Sequence, residues 1–162
     1  MLALGLFGAS LGSACGYQAT ELEAATTSAP LLDATEATPE GTPYDLSSLD
    51  GRPAVVFLWA PWCGPCRRMA PTVAGLPDAH PDVAFLSVSG RSHVREVTRF
   101  IDEQGLNTVD QVYDNDLTIA SAYALIQQPG WLFVTADGRV ATASGELSAE
   151  RLTELIDEAR NP

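Results

Sequence analysis

Ala54-Val55-Val56-Phe57-Leu58-Trp59-Ala60-Pro61-Trp62-Cys63-Gly64-Pro65-Cys66 is the stretch on which the fold turns. From Ala54 to Trp59 the chain is unbroken in its apolar character, which marks a strand buried on both faces, as in a sheet covered by helices. Pro61 ends that run, and two cysteines spaced C-x-x-C follow at the predicted start of a helix from Cys63 to about Ala74. At a helix start the free backbone N–H groups and the macrodipole favour negative charge. The Cys63 thiol is therefore expected to ionise below the value of about 8.5 for a free thiol. Cys66, three residues on, shares its helical face and can close a disulfide with it. Pro65 in the first turn forfeits no hydrogen bond, because N–H groups there have no intrahelical partner. The chemistry available to such a pair is exchange: the Cys63 sulfur forms a mixed disulfide and Cys66 resolves it.

Two structural readings compete with exchange. A zinc site needs four ligands, and the only histidines, His80 and His93, stand at spacings that match no compact zinc pattern; both read as exposed loop or helix-face residues. A purely structural disulfide gains little from closing so short a loop. The expectation is a site with no metal, and no cofactor beyond the redox-active pair Cys63 and Cys66.

Outward from this centre the chain alternates. Val83 to Val88 reads as a second buried strand, after which Ser92 is placed to cap a helix carrying Val94, Val97, Phe100 and Ile101 on one face. Asp116 can cap a short helix with Leu117, Ala120 and Tyr123 inward. Trp131 to Thr135 and Arg139 to Ala143 predict two strands joined through Asp137-Gly138. Ser148 opens a last helix whose Leu152, Leu155, Ile156 and Ala159 fall at i, i+3, i+4 and i+7. The predicted class is α/β, a central sheet flanked by helices.

The 162 residues suit one domain with a tail. Against 21 acidic side chains stand 9 basic ones, all arginine, for a net charge of -12. Such a field repels phosphate backbones, so nucleic acid is excluded as a partner, and the acidic surface favours a monomer. Residues Met1 to Ala14 are apolar apart from Ser10 and Ser13. This stretch is shorter than the roughly 20 residues of a membrane span but fits the hydrophobic region of a signal peptide. Leu11-Gly12-Ser13-Ala14-Cys15 resembles a lipobox, in which Cys15 would become the lipid-modified first residue; the same small residues also suit simple cleavage. Residues 16–41 are rich in Thr, Ala, Pro and acid and hold no basic residue, which predicts a disordered linker. As a coil it would reach about 28 Å, enough to hold an anchored domain clear of a membrane. The folded domain is expected over 42–162, outside the cytoplasm, either lipid-anchored or secreted.

The run Trp59-Ala60-Pro61-Trp62-Cys63-Gly64-Pro65-Cys66, with Pro71 five residues after the second cysteine, resembles the active-site strand and kinked helix of the thioredoxin superfamily. Gln128-Pro129 resembles that fold's cis-proline site, and Ala136-Asp137-Gly138 its following hairpin. The resemblance covers residues 43–160. The interval from Cys66 to Pro129 holds an extra strand and helix and is similar to the extracytoplasmic TlpA/ResA/DsbE-like branch. Within that branch the run is most similar to secreted actinobacterial DsbE/DsbF-like proteins. It implies a thioredoxin fold with a βα insertion, and a catalytic pair Cys63 and Cys66 supported by Gly64 and Pro65. It also implies that Trp62 is a flat contact surface, and that Pro129 is cis and faces the disulfide, leaving the backbone at Gln128 free to pair with a substrate strand. By itself an X-Pro bond would be read as trans, since cis occurs in only about 5% of cases.

The direction of transfer is where the chain departs from the pattern. Thioredoxin carries a buried Asp six residues before its first cysteine; here that residue is Phe57, and the sequence offers no replacement base. Apolar surroundings raise a buried thiol, so Cys66 should resolve slowly when the enzyme reduces. Gly64-Pro65, in contrast, is the dipeptide of the reducing thioredoxins. The leading expectation is an exported thiol:disulfide oxidoreductase that introduces disulfides into exported proteins with cysteines and is recycled by a membrane redox partner. The alternatives are a reductase of the cytochrome c maturation type and a non-catalytic polypeptide-binding module using the groove beside Pro129.

Overall fold

The computed structural model describes residues 35–125 and 127–161. In chain order the elements are β1 (Thr35–Ala37), β2 (Pro43–Asp45), β3 (Ala54–Trp59), α1 (Gly64–Ala79), β4 (Ala84–Ser89), α2 (Val94–Gln104), β5 (Asp110–Tyr113), α3 (Thr118–Ala122), β6 (Gly130–Val134), β7 (Val140–Ser144) and α4 (Ala149–Arg160). A five-stranded mixed sheet has the order β5-β4-β3-β6-β7. β3, β4 and β5 are parallel to one another, and β6 and β7 run against them.

All six residues of β3 are buried, as their apolar run requires of a strand at the centre of the sheet. Strand alternation divides them. Val55, Phe57 and Trp59 enter one core cluster with α1, α2 and α4; Ala54, Val56 and Leu58 enter another with Ile119 and Ala120 of α3. β3-α1-β4 and β4-α2-β5 are consecutive parallel crossovers moving the same way across the sheet, so right-handed connection puts α1 and α2 on the same face. The unit α2-β5 is the insertion that extends the sheet beyond β4. Leu152, Leu155, Ile156 and Ala159 of α4 are all buried, and Ser148 caps that helix by accepting from the Arg151 N–H at 3.1 Å. Between β6 and β7 the chain turns at Gly138 (φ 83°), whose N–H donates to the Thr135 carbonyl at 2.9 Å.

Several boundaries differ from the sequence reading. The linker was expected to run to residue 41, but Thr35–Ala37 already form β1, paired antiparallel with β2. Strand pairing uses backbone groups, so the acidic, Thr-rich composition of these residues did not reveal it; the turn closes through Gly41 (φ 82°), whose N–H donates to the Thr38 carbonyl. Residues 1–15, Cys15 among them, and residues 16–34 lie outside the described residues. α1 continues past Ala74 to Ala79 with Pro71 and Pro77 inside it. Ser92 does not cap α2: the cap residue is His93, which makes no side-chain cap bond. The Ser92 carbonyl instead accepts from the Tyr113 hydroxyl. Asp116 does serve the start of α3, its carboxylate accepting from the Thr118 N–H and hydroxyl.

Candidate active site

β3 delivers the chain to the site. After Trp59 the backbone turns through Ala60-Pro61-Trp62, and the Cys63 N–H closes that turn on the Ala60 carbonyl at 3.0 Å. Cys63 then occupies the cap position of α1, with extended backbone (φ -80°, ψ 108°). Pro65 lies in the first turn, where its missing N–H costs nothing. The Cys66 N–H points back at the Cys63 Sγ at 3.1 Å, so a helix-start donor is aimed at the sulfur that would carry charge. Cys63 and Cys66 are joined in a disulfide, Cα to Cα 5.2 Å. Cys63 retains 5% of its surface and Cys66 none, so attack from outside meets Cys63.

Beneath the disulfide the surroundings are apolar. Phe57 is buried against Trp131, ring centroids 4.8 Å apart, in the core cluster that also holds both cysteines, Met69 and Ala70. Trp59 stacks on Phe100 at 4.3 Å and donates its indole N–H to the buried Ser87 hydroxyl at 2.7 Å. The Gln128–Pro129 bond is cis. β6 pairs Gly130 with Leu58 of β3, which sets Pro129 at the end of the sheet where β3 leads to Cys63. The Pro129 carbonyl accepts from the Gly145 N–H at 2.6 Å, and the Gly145 carbonyl accepts from the Trp131 indole at 3.0 Å. Two loops and the floor of the site are thereby tied together.

The rim is polar except for one ring. Trp62 is 60% exposed, and its indole N–H donates to the Arg91 carbonyl at 3.2 Å. Arg68 forms a forked ion pair with Glu146, 2.7 Å at its shortest, and this pair holds the Glu146 carboxyl below its ordinary range. Arg67 lies over the Phe100 ring at 4.9 Å and reaches Glu103 at 3.4 Å. The nearest fully buried acid is Asp114, just after β5 and two strands from β3. It accepts from the Ala120 N–H at 3.1 Å, its second carboxylate oxygen has no partner among the described residues, and burial pushes its carboxyl above the usual range. His80 meets Arg160 at the far end of α1, and His93 begins α2, so the two histidines take no common part.

Cys63, Gly64, Pro65, Cys66 and Trp62 come together through local chain geometry, and Gln128-Pro129 reaches the same edge through β6. The sequence reading missed the Arg91 carbonyl, the Gly145 backbone and the Arg68–Glu146 pair. Ser87 could have been found: a hydroxyl inside the apolar strand Ala84–Ser89 has to meet a polar partner.

A mixed sheet that carries an internal disulfide at the mouth of its first long helix, beside a cis-proline, defines the thioredoxin-like thiol:disulfide oxidoreductases, and this chain is one of them. It belongs to the AhpC/TSA family, whose model matches residues 23–160. It is 33% identical over 124 residues to the soluble secreted antigen MPT53 of Mycobacterium tuberculosis, covering 76% of this chain and 71% of that protein. With the thiol-disulfide oxidoreductase ResA of Halalkalibacterium halodurans it shares 25% identity over 121 residues, 73% of this chain and 68% of that one. The solved structure of a secreted Mycobacterium tuberculosis disulfide oxidoreductase homologous to E. coli DsbE superposes with a TM-score of 0.73 at 31% identity, covering 78% of this chain and 96% of the other.

Proposed function

We propose that this enzyme works outside the cytoplasm as an oxidant of protein thiols, with Cys63 as the attacked and attacking sulfur and Cys66 as its internal partner. A substrate thiolate attacks the Cys63 Sγ, and the electron pair of the broken bond leaves on Cys66, which takes up a proton. A second substrate thiolate then attacks the substrate sulfur of the mixed disulfide and expels Cys63 as its thiolate. The substrate loses two electrons and gains a disulfide; the enzyme ends as a dithiol and is recharged by a membrane partner that accepts the two electrons. Trp62 offers a flat surface to the incoming chain, and the backbone at Gln128, beside Pro129, is the edge on which an extended substrate segment pairs.

One observation carries the direction: apolar Phe57 stands in the core cluster of both cysteines, at the position where thioredoxin has a carboxylate, and the Cys63 sulfur that would bear the charge accepts from the Cys66 N–H. A buried carboxylate there would repel a thiolate. Its absence, with the helix start above, stabilises the reduced form and therefore makes the disulfide a stronger oxidant. Equilibration of the full-length protein with a glutathione buffer tests this. A potential well above the roughly -270 mV of thioredoxin is expected; one at or below it assigns the enzyme to the reducing direction. Gly64-Pro65 favours that second reading, in which the site keeps exported thiols reduced. Cys63→Ser separates both from a non-catalytic binding module, because it abolishes either redox function and leaves simple binding intact.

Export is supported by the apolar residues Met1 to Ala14 and by the secreted relatives. Cys15 is proposed as the lipid-bearing residue that anchors the domain, and the acidic surface is consistent with a monomer whose substrates are exported proteins with cysteines.

A further inference from the structure

Trp62 is the most exposed large apolar side chain among the described residues, yet its ring is not free: one hydrogen bond, to the Arg91 carbonyl at 3.2 Å, fixes its polar edge. What holds that carbonyl is the end of the inserted α2-β5 unit. Arg91 has φ 57°, a left-handed conformation that a residue with a Cβ keeps only where its surroundings over-determine it. On one side of it, the Gly90 N–H donates to the Trp59 carbonyl at 3.3 Å. Gly90 is also seated so tightly against the residue that follows β5 that an added Cβ would stand 2.6 Å from the Asp114 carbonyl oxygen. On the other side, the Tyr113 hydroxyl, at the end of β5, stands 2.6 Å from the Ser92 carbonyl and 3.1 Å from the Asn115 Oδ1, and the shorter contact takes its one proton. Tyr113 is itself packed against the core cluster that holds α1 and α2, so its hydroxyl is a fixed point.

We propose that Tyr113 is a positioning residue: through Ser92 and Arg91 it fixes the Trp62 ring beside the disulfide, so that the inserted strand determines how the enzyme receives polypeptide substrates. The proposal rests on Trp62 being a substrate contact. A loosened ring should weaken the hold on a large substrate without altering the sulfur chemistry, which involves neither Tyr113 nor Arg91.

The test uses the full-length protein, with reduced, unfolded ribonuclease as the polypeptide substrate and dithiothreitol as the small one, each with glutathione disulfide at a fixed concentration as the oxidant that restores the Cys63–Cys66 disulfide. Tyr113→Phe, which keeps the ring and removes the hydroxyl, should raise KM for ribonuclease about fivefold with little change in kcat, the size expected from one lost hydrogen bond. The dithiothreitol rate and the reduction potential should stay as they were. Acrylamide quenching of the exposed indole should rise, since Trp59 and Trp131 are buried and respond little. In a Trp62→Ala background, where KM is already raised, Tyr113→Phe should add nothing further. If Tyr113→Phe leaves both KM and quenching unchanged, or if its effect on KM persists fully without Trp62, the positioning role is overturned. If Trp62→Ala itself leaves KM unchanged, the fault lies with Trp62 as a substrate contact. Matching thermal unfolding of the wild type and Tyr113→Phe shows that the readout is not loss of fold.

Discussion

Phe57 touches no substrate, and its chemistry acts through what it is not. Phe57→Asp would set a carboxylate into the cluster that holds both cysteines, where like charge disfavours the Cys63 thiolate. The reduction potential should then fall, by roughly 30 mV for each pKa unit that the thiol rises, while Phe57→Leu controls for packing and leaves it near the wild-type value. Glutathione equilibration of the three proteins checks this, and a potential that rises in the Asp variant contradicts it. Asp114 carries a different pH signature. Its carboxyl is raised in the fold, so between the ordinary aspartate range near 4 and that raised value the native state binds more protons than the unfolded chain. Stability contributed in this way is fully present at low pH and declines as pH rises. Asp114→Asn keeps an acceptor for the Ala120 N–H but cannot ionise, so its urea midpoint should decline less than that of the wild type from pH 4 to 7. Parallel pH curves for the two proteins would show that Asp114 has no such role.

At the scale of elements, the seam where β4 and β5 end leaves no room for a side chain at Gly90. An added Cβ at Gly90 meets backbone rather than a yielding side chain, so Gly90→Ala should destabilise the fold by about 1–3 kcal/mol. Denaturant unfolding measures it; a cost below about 0.5 kcal/mol would mean that the seam gives way freely. The same elements mark how far the sequence could be read. β3 and β6 were visible because both faces of each are buried, which leaves an apolar run. β5, with the residues Asp110-Gln111-Val112-Tyr113, buries only Val112 completely, so a single inward position had to announce a strand whose other evidence is pairing with β4. β1 was hidden in a segment whose composition suggests no structure, since what makes it a strand is backbone pairing with β2. The cysteines and the helix start were legible from spacing alone. The Arg91 carbonyl was not, because a left-handed arginine and a backbone acceptor leave no mark on residue type.

For the molecule as a whole, the excess of acid over base is the main feature. The chain carries a net charge of -12, and on the rim of the site Arg67 and Arg68 are each engaged by an acid. An anionic body is repelled by anionic membrane surfaces, so attachment there requires a covalent chain. If Cys15 bears the lipid, Cys15→Ala should move the protein from the membrane fraction to the medium without altering its rate with a soluble thiol. Equal partition of the two proteins would show that Cys15 does not anchor it.

The unequal access to the two sulfurs has a practical outcome. Of these two sulfurs Cys63 alone can meet another molecule, while Cys66, wholly enclosed, is the leaving group when a substrate thiolate attacks and the atom that frees a captured chain when the exchange runs in reverse. A chain carrying Cys66→Ser keeps the Cys63 thiolate without its internal partner, so attack on a client's disulfide breaks that bond, releases one client thiolate and leaves the other client sulfur tethered to Cys63 through one bond that a reducing gel-loading buffer cuts. The natural clients could then be read, one band at a time, from the cell envelope in which they were caught.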